Sequence, residues 1–176
     1  MGSVEDWVLL IVKMSGRTLV TRIQKIMFIL WEDYRVGRRE LKFEPYRYGP
    51  WSRDLQNILD RLVSEGYLNV EEVEREREDA RHTGVMRVYT LTEKGLERIK
   101  KREPLLAFIN FAAYITVRQW AKVPLRHLIS YVYTMYPKYT AGSLILSEAV
   151  KELNDIDKAG ADKSKKENAV SAPSDQ

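Results

Sequence analysis

Apolar and polar residues alternate along the chain in runs of changing period. Residues 4–14 carry an unbroken apolar stretch from Trp7 to Val12, which predicts a helix buried on more than one side. Ser15 and Gly16 end it. Thr21-x-x-Gln24 has the form of a capping box opening a second helix to about Tyr34, with Ile23, Met27, Leu30 and Tyr34 at helical spacing. Beyond Gly37, Leu41 and Phe43 alternate with Lys42 and Glu44, which predicts a short extended segment. The stretch Tyr46-Arg47-Tyr48-Gly49-Pro50 predicts a turn. Ser52 is placed to cap a third helix over residues 53–65, whose stripe is Leu55, Ile58, Leu59 and Leu62. Gly66 stands where a helix end favours a left-handed residue.

From Tyr67 the period changes to two. Residues 67–70 start a strand, 71–81 are charged, and 85–91 alternate again: Met86, Val88 and Thr90 on one face, Val85, Arg87, Tyr89 and Leu91 on the other. Two strands joined by a charged loop make a hairpin, and Thr92-Glu-Lys-Gly95 opens another helix. Pro104 marks a new element, and residues 105–120 predict one central buried helix. Pro124 begins a helix with a stripe of Leu125, Leu128, Ile129, Val132 and Tyr136, and residues 143–156 predict a last one. From 157 no core residues remain, which predicts a disordered tail.

The order helix, helix, short strand, helix, strand, loop, strand, helix is winged helix-turn-helix topology. The expected fold class is mainly α with a small β-hairpin wing. The domains follow: a winged helix-turn-helix unit over 4–102, a helical extension over 103–156 and a tail over 157–176. The phrase Leu59-x-x-Leu62-x-x-x-Gly66-Tyr67-Leu68, then Tyr89-x-Leu91-Thr92-x-Lys94-Gly95, resembles the wing region of MarR-like and PadR-like regulators. A broader resemblance, over about residues 7–145, is to the YwgA-like winged-helix family. It is carried by Thr21-Arg22-Ile23-Gln24-Lys25-x-x-Phe28, by Phe43-x-Pro45-Tyr46-x-Tyr48-Gly49-Pro50-x-Ser52-x-x-Leu55 and by the Tyr131–Ser143 segment. The Gln-Lys and Gly-Pro elements also give a more distant likeness to Panacea-type antitoxin domains. These resemblances imply the fold and little about activity.

Composition narrows the chemistry. The chain has 176 residues and no cysteine, which excludes disulfides, thiol catalysis and cysteine-based zinc sites. Only His82 and His127 supply imidazoles. There is no Walker phosphate loop or dinucleotide fingerprint, so neither an enzyme nor a cofactor is expected. The acidic N-terminus lacks a signal peptide's basic region, and no apolar run is long enough for a membrane helix, so a cytoplasmic protein is expected. Charged residues at 31% with no cysteine give a thermophile-like composition.

The formal charge of +4 permits a polyanionic partner. On the third helix, Arg53, Gln56 and Asn57 are the candidates for base edges. Arg22, Lys25, Arg38, Arg39, Lys42, Arg47 and Arg61 are the candidates for phosphates, with Arg75, Arg77 and Arg81 on the wing. The expected partner is double-stranded DNA, bound in transcriptional control by a homodimer joined through the C-terminal helices. The wing argues otherwise, because Glu71, Glu72, Glu74, Glu76, Glu78 and Asp79 outnumber its arginines and the third helix is nearly neutral. The alternative is therefore a winged helix that docks a protein. A third reading, a metal-dependent nuclease, would need Asp33, Glu40 and Lys42 to converge. Tyr131, Tyr133, Tyr136 and Tyr139 are expected to pack in the core rather than stack on bases.

Overall fold

The computed structural model describes residues 2–46, 49–75 and 84–140. The protein is mainly helical with a small antiparallel sheet, a winged-helix-like α+β architecture. The element order is α1 (Val4–Ser15), β1 (Thr18–Leu19), α2 (Val20–Tyr34), β2 (Glu44–Tyr46), β3 (Gly49–Trp51), α3 (Arg53–Ser64), β4 (Leu68–Arg75), β5 (Gly84–Leu91), α4 (Glu93–Ile109), α5 (Phe111–Lys122) and α6 (Leu125–Met135). A 3₁₀ turn (Pro137–Tyr139) follows.

The helix ends follow their local chemistry. Ser3, Ser52 and Thr92 each accept a hydrogen bond from a free backbone N–H in the first turn of α1, α3 and α4. At the end of α3, Gly66 takes φ +76°. The Tyr67 N–H then closes on the Leu62 carbonyl and the Gly66 N–H on Val63, which is a Schellman turn. Gly95 is required for a different reason: a side-chain carbon there would strike the Tyr67 carbonyl oxygen. The Gly66-Tyr67 and Thr92-x-x-Gly95 elements thus fit against each other at the base of the wing.

Strands β4 and β5 pair from Leu68↔Leu91 to Arg75↔Gly84, and the short β1 adds to the far side of β5 through Thr18↔Tyr89. Two residues carry no readable period, and β1 escapes a pattern-based reading. The extended segment expected over 41–45 belongs to a separate hairpin, β2–β3, with Glu44↔Trp51 and Tyr46↔Gly49 opposed.

Three expectations need correction. Thr21 and Gln24 form no capping box: α2 begins at Val20 behind Leu19, which supplies no side-chain cap, and Gln24 is buried. Pro104 starts no element, because α4 continues through it to Ile109 and the break falls at Asn110, whose side chain accepts from the Ala113 N–H to cap α5. Residues 105–120 therefore form no single buried helix. The boundary at 102/103 also lies inside α4. Leu106, Ala113, Val117, Leu128, Val132 and Tyr133 join α1, α2 and α3 in one hydrophobic core. The chain's α1 is buried on nearly every side within that core.

Among the described residues, no helix is long and apolar enough to cross a membrane. Residues 143–156 and the tail lie outside the described residues.

Candidate nucleic-acid interface

The residues that aim α3 come from α2. Gln24 lies on the buried face of α2, where its amide makes a reciprocal pair with a peptide unit. Its Nε2 donates to the Ser52 carbonyl and its Oε1 accepts from the Ser52 N–H, both at 3.0 Å. Lys25, one residue on and only 1% exposed, donates from Nζ to the Pro50 carbonyl at 3.0 Å. Its ammonium is cut off from water, and burial pushes its pKa down to about 7. The backbone here approaches closely: Gly49 has φ +85°, and a Cβ on it would lie 2.6 Å from Tyr133 Cε1. Two polar side chains of α2 thus hold the strand that leads into α3, and Ser52 caps the helix from the same turn.

The stretch before the hairpin is pinned in the same way. Leu41 and Phe43 are buried, Trp31 Nε1 donates to the Leu41 carbonyl at 3.0 Å, and the Lys42 N–H donates to Asp54 Oδ2 at 3.0 Å. Lys42 therefore stands exposed beside the N-terminal turn of α3. Its ammonium sits 2.9 Å from Glu44, and the hydrogen bond to that carboxylate raises the lysine pKa.

Leu55, Ile58, Leu59 and Leu62 face the core, leaving Arg53, Asp54, Asn57, Asp60, Arg61 and Ser64 exposed on α3. Arg53 and Asn57, one turn apart, make no ion pair or side-chain hydrogen bond among the described residues. Gln56 is half-buried, and its amide donates to Asp60 Oδ1 at 3.0 Å and to the Tyr89 hydroxyl at 3.2 Å. Arg87 of β5 reaches across to Asp60 at 3.2 Å and pairs with Glu72 at 3.6 Å. Arg61 pairs with Glu5 of α1. Two acidic residues of β4 are thus tied to neighbours: Glu72 to Arg87, and Glu71 to Arg17 at 2.9 Å.

The structure divides the expected phosphate contacts. Lys25 and Arg22 are corrections. Lys25 is buried under the hairpin, and Arg22 is half-buried with Nη1 donating to the carbonyls of Trp120 and Val123 at 2.8 and 2.7 Å, so it closes the end of α5. Arg38 stacks over Trp31 at 4.0 Å and bonds Glu32. Arg39 is exposed with no ion pair among the described residues. Arg47, Arg77 and Arg81, with the side chain of Arg75, lie outside the described residues. The signal that could have marked Gln24 and Lys25 as internal was their place inside the apolar run from Ile23 to Leu30.

The other candidates have local employment. Asp33 accepts from the Tyr136 hydroxyl at 2.6 Å and Lys42 is held by Glu44, so the nuclease set has separate partners. Among the described residues no group of three or more His, Asp or Glu is placed to hold a metal. Tyr136 and Tyr139 pack edge-on against Phe28, Tyr131 lies on Trp120, and Tyr133 is buried. His82 lies outside the described residues, and His127 is half-buried on α6. No family model matches the chain, and no curated protein matches it.

Proposed function

We propose that the chain is a cytoplasmic YwgA-like winged-helix protein that docks duplex DNA with the N-terminal end of α3, in transcriptional control. The observation that carries this reading is the state of that end. Arg53 and Asn57 are exposed one turn apart and unpaired among the described residues, on a helix N-terminus whose dipole favours phosphate, with Arg39 and Lys42 nearby in sequence or contact. Arg53 suits guanine and Asn57 adenine in a major groove. Gln56 is a poor reader because its amide is already spent on Asp60 and Tyr89.

The direct test is binding to random-sequence duplex across a salt series. Binding at roughly 1–100 μM that weakens steeply with salt is expected. Arg53→Ala should lower affinity about tenfold, and Arg39→Glu with Lys42→Glu should flatten the salt slope by about one unit per lost phosphate contact. Binding unaffected by all three substitutions would sink the proposal.

A second reading has its own support. The middle and end of α3 are covered by ion pairs, Asp60–Arg87 and Arg61–Glu5, and β4 presents Glu71 and Glu72. Such a mosaic fits a protein partner better than a polyanion. Absence of DNA binding at low salt, with a partner recovered whose capture is lost on Asp60→Arg, would favour it.

A further inference from the structure

Where the start of α1, the end of α3 and α4 meet, the surface holds a cleft of about 330 Å³ lined by Tyr67, Lys94, Glu97, Arg98, Lys101 and Arg102. Helical spacing sets the lining, because residues 94, 97, 98, 101 and 102 share one face of α4. Behind them lies Asp6 of α1, only 1% exposed. Its Oδ1 accepts from Arg98 Nε at 2.9 Å. Its Oδ2 lies 3.4 Å from Arg102 Nε and accepts no hydrogen bond among the described residues. One cation is enough to neutralise a buried carboxylate, and Asp6 has two. Arg98 also lies over the Tyr67 ring at 4.9 Å, beside Lys94 at 4.3 Å, and Lys94 Nζ donates to the Glu65 carbonyl at 2.7 Å. Lys101 is exposed and makes no ion pair among the described residues.

We propose that this cleft binds a small soluble phosphate monoester, at a site separate from the DNA-docking end of α3. Charge selects the ligand. Lys94, Arg98, Lys101 and Arg102 carry four formal positive charges against two negative ones, on Glu97 and Asp6, an excess of two. A phosphate monoester carries about −1.5 to −2 at neutral pH, whereas a carboxylate or a phosphodiester is singly charged. Preorganisation points the same way. Guanidinium groups suit phosphate oxygens, and Asp6 and Tyr67 already hold Arg98 in place, so little freedom is lost when an anion arrives. The volume is that of a small-molecule site, at the lower end of the usual range of about 300–1,000 Å³. Glu97 in the lining repels a second phosphate, which favours a monophosphate over a polyphosphate. The position separates this site from base reading. Tyr67 follows the end of α3, whose 12 residues rise about 18 Å from Arg53. A ligand here leaves the N-terminal turn of α3 free, and the site stands whether or not that turn docks DNA.

Titration of the full chain with glycerol 3-phosphate at an ionic strength of about 0.15 M, followed through its amide resonances, tests this. Shifts centred on residues 94–102 that saturate with a dissociation constant of about 1 mM or tighter are expected. Lys101→Gln with Arg102→Gln should weaken binding at least about tenfold, and Arg98 still holds Asp6 in that variant. Lys101→Gln alone leaves the Asp6 cluster intact and should weaken binding about threefold. Arg118→Gln with Lys122→Gln removes the same charge from exposed positions on α5 and should leave affinity within about twofold. Equal weakening by the two double variants would reduce the effect to overall charge and overturn the proposal, as would the absence of saturation. Dimethyl phosphate, singly charged like the DNA backbone, should bind at least about tenfold more weakly. Equal affinity for it overturns the monoester site in favour of a further contact to duplex phosphates.

Discussion

The seam between α2 and the β2–β3 hairpin and the corner between α4 and α5 break the same rule in opposite directions. At the seam, an amide and an amine are buried; at the corner, two phenylalanines are bathed in water. Residue type alone would rank the corner as the more important of the two. The energetics rank them the other way. The polar atoms at the seam replace water that can no longer reach the backbone of Pro50 and Ser52, so removing them leaves the Pro50 C=O or the Ser52 N–H unsatisfied. The exposed phenyl rings lose little when truncated, because they have given up little water. Burial, and what is left unpaired on removal, sets the weight of a side chain.

Outside the apolar core, the largest effect should come from Gln24→Leu. The substitution keeps the volume but strands the N–H of Ser52 in the interior and leaves its C=O with only the Gln56 N–H of α3. At about 1–3 kcal/mol for the stranded group and about 1 kcal/mol for the lost bond, the loss should be about 2–4 kcal/mol, read from a urea midpoint. The helix α3 loses its anchor, so the proposed DNA binding should fall with it. A loss below about 1 kcal/mol would mean that water reaches the seam, and the contrast with the corner would collapse.

Lys25 sharpens the same point through pH. Its folded-state pKa, about 7, lies below the value of an exposed lysine. Above that pH the unfolded chain holds a proton that the folded chain has released, so stability rises with pH. Below about 7 both states are protonated, and the cost of burying the ammonium is fully felt. Relative to Lys25→Met, which does not titrate, the wild type should gain about 2 kcal/mol between pH 7 and pH 9. Parallel stability curves for the two proteins would show that the ammonium is not confined as the geometry places it.

What could be read beforehand follows from this contrast. Periodicity exposes elements whose one face meets a core, so α1, α3 and the wing strands were legible from Trp7–Val12, the Leu55–Leu62 stripe and the alternation of 85–91. Cap chemistry located Ser52, Gly66 and Thr92, because a helix end imposes its demand within three residues. Pairing across the fold imposes nothing local. Gln24 resembled a cap because Thr21 stood three residues before it, yet its partner lies in Ser52. Arg22 and Lys25 resemble phosphate ligands because charge usually means surface, and Pro104 carries a stronger local signal for a helix start than Asn110, which caps α5. The apolar stretch around Phe108 resembled core for the same reason. Arg53 and Asn57 were legible as outward-facing because the leucines on α3 left them no other direction.

The smallest effect should come from the corner. Phe28 and Phe108 are the same residue in the two environments. Phe28 is fully buried against Trp31, Phe43, Tyr136 and Tyr139, and Phe28→Ala should cost about 3–5 kcal/mol through lost transfer energy and the cavity left behind. Phe108→Ala leaves no cavity in the core that α1, α2 and α3 share. Its cost is limited to the little apolar surface that an 87% exposed ring removes from water, no more than about 1 kcal/mol on global unfolding. The two substitutions should also differ in kind. Phe28→Ala should weaken exchange protection throughout α2, whereas Phe108→Ala should leave α2 as protected as before. A Phe108→Ala variant that loses as much stability as Phe28→Ala would show that the corner is part of the core, and the distinction between the two regions would fail.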